Sequence, residues 1–234
     1  MSAAAVVADV GVVIVAGGTG SRTGSSELKQ FRWVGGKPML LHSVQLFQER
    51  ADVCMVVAVL PRAYAGDPPP WIFQSDLSRL LIGVGGSHRG ASVRNGLDDL
   101  PAEARIVVIH DAARPFATAE TIDAVIAAAR RGTGAFAGLP VVDTLKRVAA
   151  DGRVSEGVSR EELWRAQTPQ AFPREMIDDV SRRANREDIR ETDDAALCTR
   201  FGYPVVVVPG SERALKITTD ADFARAEALS LVQA

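Results

Sequence analysis

Two cations punctuate a run of small residues near the start of the chain: Ala16-Gly17-Gly18-Thr19-Gly20-Ser21-Arg22, with Lys29 seven residues later. Such glycines let the backbone approach a bound group, because no Cβ stands in the way. Exposed N–H groups in such a loop can cradle phosphate oxygens, and Arg22 and Lys29 would supply charge for triphosphate chemistry. Two commoner phosphate loops do not fit. The triplet Gly-Lys-Ser/Thr that closes the mononucleotide loop is absent. The dinucleotide pattern G-x-G-x-x-G matches Gly18-Thr19-Gly20 but meets Thr23 where its last glycine belongs. Pro38-Met39-Leu40 then stands where that pattern wants a ribose-binding acid. Alone, the loop reads better as a glycine turn with two solvated cations.

A second set of residues changes that balance. His110-Asp111-Ala112-Ala113-Arg114-Pro115 follows an apolar run, and in open α/β sheets ligands bind at the carboxyl ends of strands. Asp111 is a hard oxygen donor suited to Mg²⁺, which holds nucleotide phosphates through one or two carboxylates plus water. The plainer alternative is a turn in which Asp111 pairs with Arg114. Beside the glycine-cation loop, the metal role is preferred. Gly85-Gly86-Ser87-His88-Arg89-Gly90-Ala91-Ser92 is another small-residue loop, able to bring backbone groups and the Ser92 hydroxyl against a flat base edge. An ordinary turn capped by Ser92 explains it almost as well. Lys216 and Arg160 are lone cations, which are usually solvated. His42, His88 and His110 lack the spacing of a metal set. Asp222, three residues after Thr219, suits a capping box at least as well as a metal.

These residues need a sheet to gather them. The stretch 11–15 is short, β-branched and uncharged, the mark of a buried parallel strand feeding the glycine loop. Further strands are expected at 53–60, 79–84, 105–110 and 203–208, with helices at 38–47, 92–100, 118–131, 192–201 and 222–231. The alternation predicts a single α/β domain over 1–234, a mostly parallel twisted sheet with helices on both faces. Thr118 should cap one helix, with Arg130 and Arg131 at its negative end and Gly132 ending it. Thr192 should cap another, with Asp193 and Asp194 in its first turn. The stretch 144–158 reads as two short strands around Asp151-Gly152, a tight-hairpin signal between helical flanks. It predicts a β-hairpin arm over about 141–162, projecting from the body and packing on a second subunit.

Composition limits the partners. A net charge of −2 gives no general reason to bind nucleic acid or an anionic membrane, so any anion site must come from local cations. Hydrophobic content of 47% with 24% charged residues is that of a soluble globular protein. No run approaches the roughly 18 apolar residues of a membrane span. The apolar start has no basic residue before it and is interrupted by Asp9, unlike a signal peptide. Cys54 and Cys198 lack zinc or redox spacing and are expected as core thiols in a reducing cytoplasm.

Taken together, the residues strongly resemble the 2-C-methyl-D-erythritol 4-phosphate cytidylyltransferases of the non-mevalonate isoprenoid pathway, from Val12 to about Glu227. The most specific pieces are 110–115, Asp143-Thr144-Leu145-Lys146, Ala166-Gln167-Thr168-Pro169-Gln170, Thr192-Asp193-Asp194 and Lys216-Ile217-Thr218. The resemblance implies a Rossmann-like nucleotidyltransferase core, a homodimer with interlocking β-arms, and Mg²⁺-dependent joining of CTP to the methylerythritol phosphate with release of pyrophosphate. It implies that Arg22 and Lys29 stabilise charge on the α-phosphate and that Asp111 carries the metal. Ala16, Gly17, Gly18, Gly20, Gly86, Arg89, Ser92, Asp111 and Ala112 would surround the nucleotide. Arg160 and Lys216 would position the acceptor phosphate, with Arg114, Thr144, Thr168 and Thr192 as its other neighbours. Leu28, Thr23, Gly17 and Ala214 depart from the usual family residues, and none removes a charged group. A different polyol phosphate acceptor such as ribitol 5-phosphate, or a weakly catalytic nucleotide-binding homologue, would fit the same core.

Overall fold

The computed structural model describes residues 6–18 and 28–232. In chain order the first half comprises β1 (Val10–Val15), β2 (Trp33–Val34), β3 (Lys37–Pro38), α1 (Met39–Gln48), β4 (Val53–Leu60), α2 (Arg62–Ala65), β5 (Leu80–Val84), α3 (Arg89–Asp98) and β6 (Ile106–Asp111). The second half comprises α4 (Ala119–Arg130), β7 (Gly134–Pro140), β8 (Leu145–Val148), β9 (Val154–Val158), β10 (Trp164–Pro173), α5 (Arg174–Arg186), α6 (Asp194–Arg200), β11 (Val205–Pro209) and α7 (Asp220–Ser230). A seven-stranded sheet in the order β11-β7-β10-β6-β1-β4-β5 carries the fold. Every pairing in it is parallel except those of β10, which runs antiparallel to both neighbours.

Register sets the site. Val15, the last residue of β1, lies beside Val59 on one side and Asp111 on the other. Leu60, the last residue of β4, pairs with Val84 at the end of β5. The chain therefore leaves β1, β5 and β6 at one edge, the carboxyl end of the parallel strands. The amide of Ala16 donates to Val59 O (3.0 Å), that of Ala112 to Val15 O (3.2 Å), and that of Gly85 to Leu60 O (2.6 Å). Each loop is thus tied to its neighbour within one residue of its strand.

Alternate strand residues divide the core, as a period of two requires. Val10, Val12 and Ile14 pack with Leu40, Val44 and Phe47 of α1 and Ile122, Val125 and Ile126 of α4. Val13 faces the other layer, where α3, α5 and α6 contribute Val93, Leu97, Ile177, Val180 and Cys198. Full burial of each such large side chain contributes about 1.5–3 kcal/mol, so these two layers hold the sheet. A third, smaller cluster joins Val34, Met39, Ile217, Phe223 and Ala226, binding the β2–β3 hairpin to α7.

Three larger elements were not expected: β7, β10 and α5. Their presence corrects the flanks of the arm. The hairpin β8–β9 does form its own two-stranded sheet, but it sits between β7 and β10, two strands of the main sheet, and not between helices. The arm continues that antiparallel pair outward. Its turn follows the Asp-Gly signal: Gly152 has φ +83°, which a side chain would disfavour, and Asp151 accepts from the amide of Arg153 (3.1 Å). Val142, Val148, Val154, Leu163 and Trp164 are exposed along or beside it.

Candidate active site

At the end of β6 the Asp111 carboxylate, 8% exposed, stands between two cations. Its Oδ2 accepts from Lys216 Nζ at 2.7 Å and its Oδ1 from Arg89 Nε at 3.4 Å. Arg89, the first residue of α3, also donates from Nη1 to Asp194 Oδ2 at 2.7 Å. Charges therefore alternate along a line Asp194, Arg89, Asp111, Lys216, drawn from α6, α3, β6 and the segment before α7. Burial would raise the Asp111 carboxyl, but Arg89 first, then Lys216 and Arg114, hold it well below the usual carboxylate range. Burial works against the Arg89 charge, yet Asp194 and Asp111 outweigh it and raise that group. Asp194 is itself raised by burial, with Arg89 opposing. Asp111 does not pair with the Arg114 side chain, the alternative weighed from the sequence. That guanidinium, lowered by burial, donates to Ala214 O (2.6 Å) and Ala166 O (3.5 Å).

One short segment of β10 holds three neighbours in place. Thr168 Oγ1 accepts from the amide of Asp111 (3.0 Å) and lies 3.2 Å from His110 Nδ1. His110 Nε2 lies 3.0 Å from Arg114 O, an acceptor only, so Nε2 carries the proton and Nδ1 accepts from Thr168. Burial pushes His110 down to about 4, keeping it neutral. Gln167 donates to Ser211 O (3.0 Å) and accepts from its amide (3.2 Å), fixing the loop that leads to Lys216. Gln170 donates to Asp193 Oδ2 and accepts from the amide of Ala195, both at 3.0 Å, fixing the start of α6. Sequence reasoning marked this segment by resemblance but gave no role to His110, Gln167 or Gln170. Buried glutamine partners many residues away leave no local pattern.

Lys29 is half-buried in the 3-10 turn Lys29–Phe31. Gln30 beside it donates to Ala16 O (2.6 Å) and Gly18 O (3.0 Å), so the turn is fastened to the loop after β1. Arg22 and Gly20 lie outside the described residues. Gly17 and Ser92 face each other: a Cβ on Gly17 would stand 3.2 Å from Ser92 Oγ. Ser92 Oγ accepts from the amide of Gly86 (3.0 Å) and donates to His88 O (3.1 Å). Gly86 is required here, since a Cβ would come within 2.4 Å of the Ala91 Cβ. His88, not Ser92, caps the helix, its ring nitrogen accepting from the amide of Ala91 (3.3 Å), and α3 begins three residues earlier than expected. Ala16, Gly17, Gly86, Arg89, Ser92, Asp111, Ala112 and Lys216 thus lie together along one edge, with Thr168 and Arg114 directly behind Asp111.

Other residues stand apart. Thr144 and Arg160 are exposed on the arm, and the Arg160 guanidinium donates to Val142 O of that same arm. Thr192 is exposed just before α6, where Asp193, not Thr192, is the cap: it accepts from the amide of Ala196 at 2.8 Å. Asp222 is a capping-box residue. Its Oδ2 accepts from the amides and hydroxyls of Thr218 and Thr219 at 2.8–2.9 Å. Burial would raise it, but those bonds bring it down to about 2.

Among the described residues, no three His, Cys, Asp or Glu side chains converge as a metal cage. The donor set fits Mg²⁺ in another way. Asp111 is one ionised carboxylate whose Oδ1 is only loosely engaged, and Mg²⁺ commonly takes its remaining oxygens from nucleotide phosphates and water. Arg89 Nη2 and Arg114 Nε are buried without a hydrogen-bond partner, and both belong to guanidiniums beside that carboxylate. No described helix is long and apolar enough to cross a membrane.

Comparisons with known proteins give the family and the fold. The family profile described as "IspD: 2-C-methyl-D-erythritol 4-phosphate cytidylyltransferase" matches residues 10–231. A 2-C-methyl-D-erythritol 4-phosphate cytidylyltransferase of Syntrophus aciditrophicus is 40% identical over 219 residues, covering 92% of this chain and 93% of that protein. One from Salinibacter ruber is 42% identical over 219 residues, covering 93% and 91%. The crystal structure of the Thermus thermophilus enzyme of that name superposes with a TM-score of 0.80 at 34% identity, over 96% of this chain and all of that one. The chain belongs to the IspD family of 2-C-methyl-D-erythritol 4-phosphate cytidylyltransferases.

Proposed function

We propose that this chain transfers the cytidylyl group of CTP to 2-C-methyl-D-erythritol 4-phosphate, releasing pyrophosphate, by in-line displacement. A phosphate oxygen of the acceptor attacks the α-phosphorus, and the bond from that phosphorus to the bridging oxygen breaks with its electrons leaving on pyrophosphate. No covalent enzyme intermediate is needed. The difficulty is electrostatic, because two anions must meet and charge grows on the equatorial oxygens. Lys29 and Arg22 neutralise that charge. Lys216 and Arg160 bind the acceptor phosphate, with Arg114, Thr144, Thr168 and Thr192 around it. Gly17, Gly86, Arg89 and Ser92 hold the nucleoside. Asp111 would hold Mg²⁺, whose charge would offset that of the nucleotide phosphates.

The observation that carries this reading is the Lys216–Asp111–Arg89 cluster at the edge where three sheet loops emerge. The exposed Arg160 and Thr144 support a homodimer in which the arm of a second copy completes the acceptor site, its exposed valines and Trp164 packing on the body. The unpaired Cys54 and Cys198 suit a reducing cytoplasm. Pyrophosphate release from CTP with 2-C-methyl-D-erythritol 4-phosphate and, separately, ribitol 5-phosphate tests the reading. Faster turnover with ribitol 5-phosphate would replace the acceptor. CTP binding without turnover on either would make the chain a nucleotide-binding homologue.

A further inference from the structure

Asp194 is 3% exposed, carries a carboxylate, and has no part in the mechanism above. A buried charge is costly unless paired, and its partner is Arg89. That arginine opens α3, the positive end of a helix, where a cation is disfavoured. Two carboxylates offset this. They do not share the guanidinium evenly: Nη1 meets Asp194 at 2.7 Å, whereas only Nε meets Asp111, at 3.4 Å.

A guanidinium facing one carboxylate ordinarily closes on it as a two-pronged fork. Arg89 does not do so with Asp111. The start of α6 is the fixed side of the contact, because Gln170 grips Asp193 and the amide of Ala195 on either side of Asp194. Lys216 occupies Asp111 Oδ2, so Oδ1 is the oxygen on which the outcome turns. We infer that Asp194 is a positioning residue that draws the Arg89 guanidinium away from Asp111 and so keeps Asp111 Oδ1 open to a divalent cation. The inference rests on the metal role proposed for Asp111. Without the charge at 194, Arg89 swings onto Asp111 and competes with the ion there.

The test compares the full-length wild type with Asp194→Asn, Arg89→Gln and the double variant, each checked for folding by thermal melting. Two quantities are read: the Mg²⁺ concentration giving half-maximal pyrophosphate release at saturating CTP, and calorimetric affinity for CTP with EDTA or with Mn²⁺. In Asp194→Asn the half-maximal Mg²⁺ rises about tenfold or more and Mn²⁺·CTP binds correspondingly weaker, a larger loss than that of CTP in EDTA, which loses only the Arg89 contact to the nucleoside. A purely structural role would weaken both kinds of binding alike, and that result overturns the inference. Removing the competing guanidinium removes the effect of the charge at 194, so the double variant needs no more Mg²⁺ than Arg89→Gln alone. A double variant that needs more Mg²⁺ than Arg89→Gln overturns the inference by itself, even should Asp194→Asn fail to fold. Lack of turnover in the wild type would defeat the proposed function instead, and the Mn²⁺ calorimetry still decides the role of Asp194.

Discussion

Lys29 is held beside the loop after β1 by its neighbour Gln30, whose amide grips Ala16 O and Gly18 O. Lys29→Ala should lower kcat about 10²-fold, the scale on which one preorganised charge donor acts. Steady-state pyrophosphate release checks it, and near-normal turnover removes Lys29 from the chemistry. His110 gives a pH signature. Its folded value near 4 lies below the ordinary 6.5, so the unfolded chain binds a proton first as pH falls. Its contribution is complete above pH 6.5 and declines through the interval down to 4, by on the order of 3 kcal/mol. Urea unfolding of wild type and His110→Gln at pH 7, 5.5 and 4.5 should show the stability gap between them closing with acid. A constant gap would show that His110 does not titrate in this way. Asp111 was legible because a carboxylate closing a buried strand announces its chemistry, whereas Lys216 and Arg160 were reached only through the family resemblance. Gln167 and Gln170 were not legible, since their partners lie 44 and 23 positions away.

Elements divided by composition. The β-branched runs of β1, β4 and β6 and the capped α4 were readable from period and caps. Strand β7, Gly134-Ala135-Phe136-Ala137-Gly138-Leu139-Pro140, is too rich in glycine and alanine to register as a strand. Strand β10 hides behind Pro169 and two buried glutamines, all marks against a sheet interior. Helix α5 had a signal that went unread: Met176, Ile177, Val180 and Ala184 share its buried face amid charge. Gln170→Ala should cost about 1–3 kcal/mol, because it strands the buried amide of Ala195 without an acceptor. Thermal melting reads this as a drop of about 2–4 °C per kcal/mol for a chain of this size. An unchanged melting point would mean the start of α6 needs no tie to β10.

At the scale of the whole molecule, the arm was legible from Asp151-Gly152 and its place in the sheet was not, because neither flanking strand was seen. If the arm of one copy completes the other's site, two inactive variants should rescue each other. An Arg160→Ala chain mixed equally with a Lys216→Ala chain would form hybrid dimers with one intact site, regaining about a quarter of wild-type turnover by random pairing. Variants that stay inactive after mixing would place Arg160 and Lys216 in the same chain's site or in none.

Strand β10 serves two masters along one stretch of backbone: Trp164 stands at the root of the arm, paired with Pro140, and Gln170 lies beside Ile109 of β6, the strand that ends in Asp111. Between Ala166 and Gln170 the ladder with β7 is bulged, Ala166 pairing with Gly138 and Gln170 with Phe136, so deleting a residue there would take up the bulge and draw Thr168 and its neighbouring glutamines away from His110, Ser211 and Asp193. The hairpin tip lies beyond that paired root, and insertions there leave the inner register as it was. Length variation is therefore tolerable at the tip and forbidden at the base.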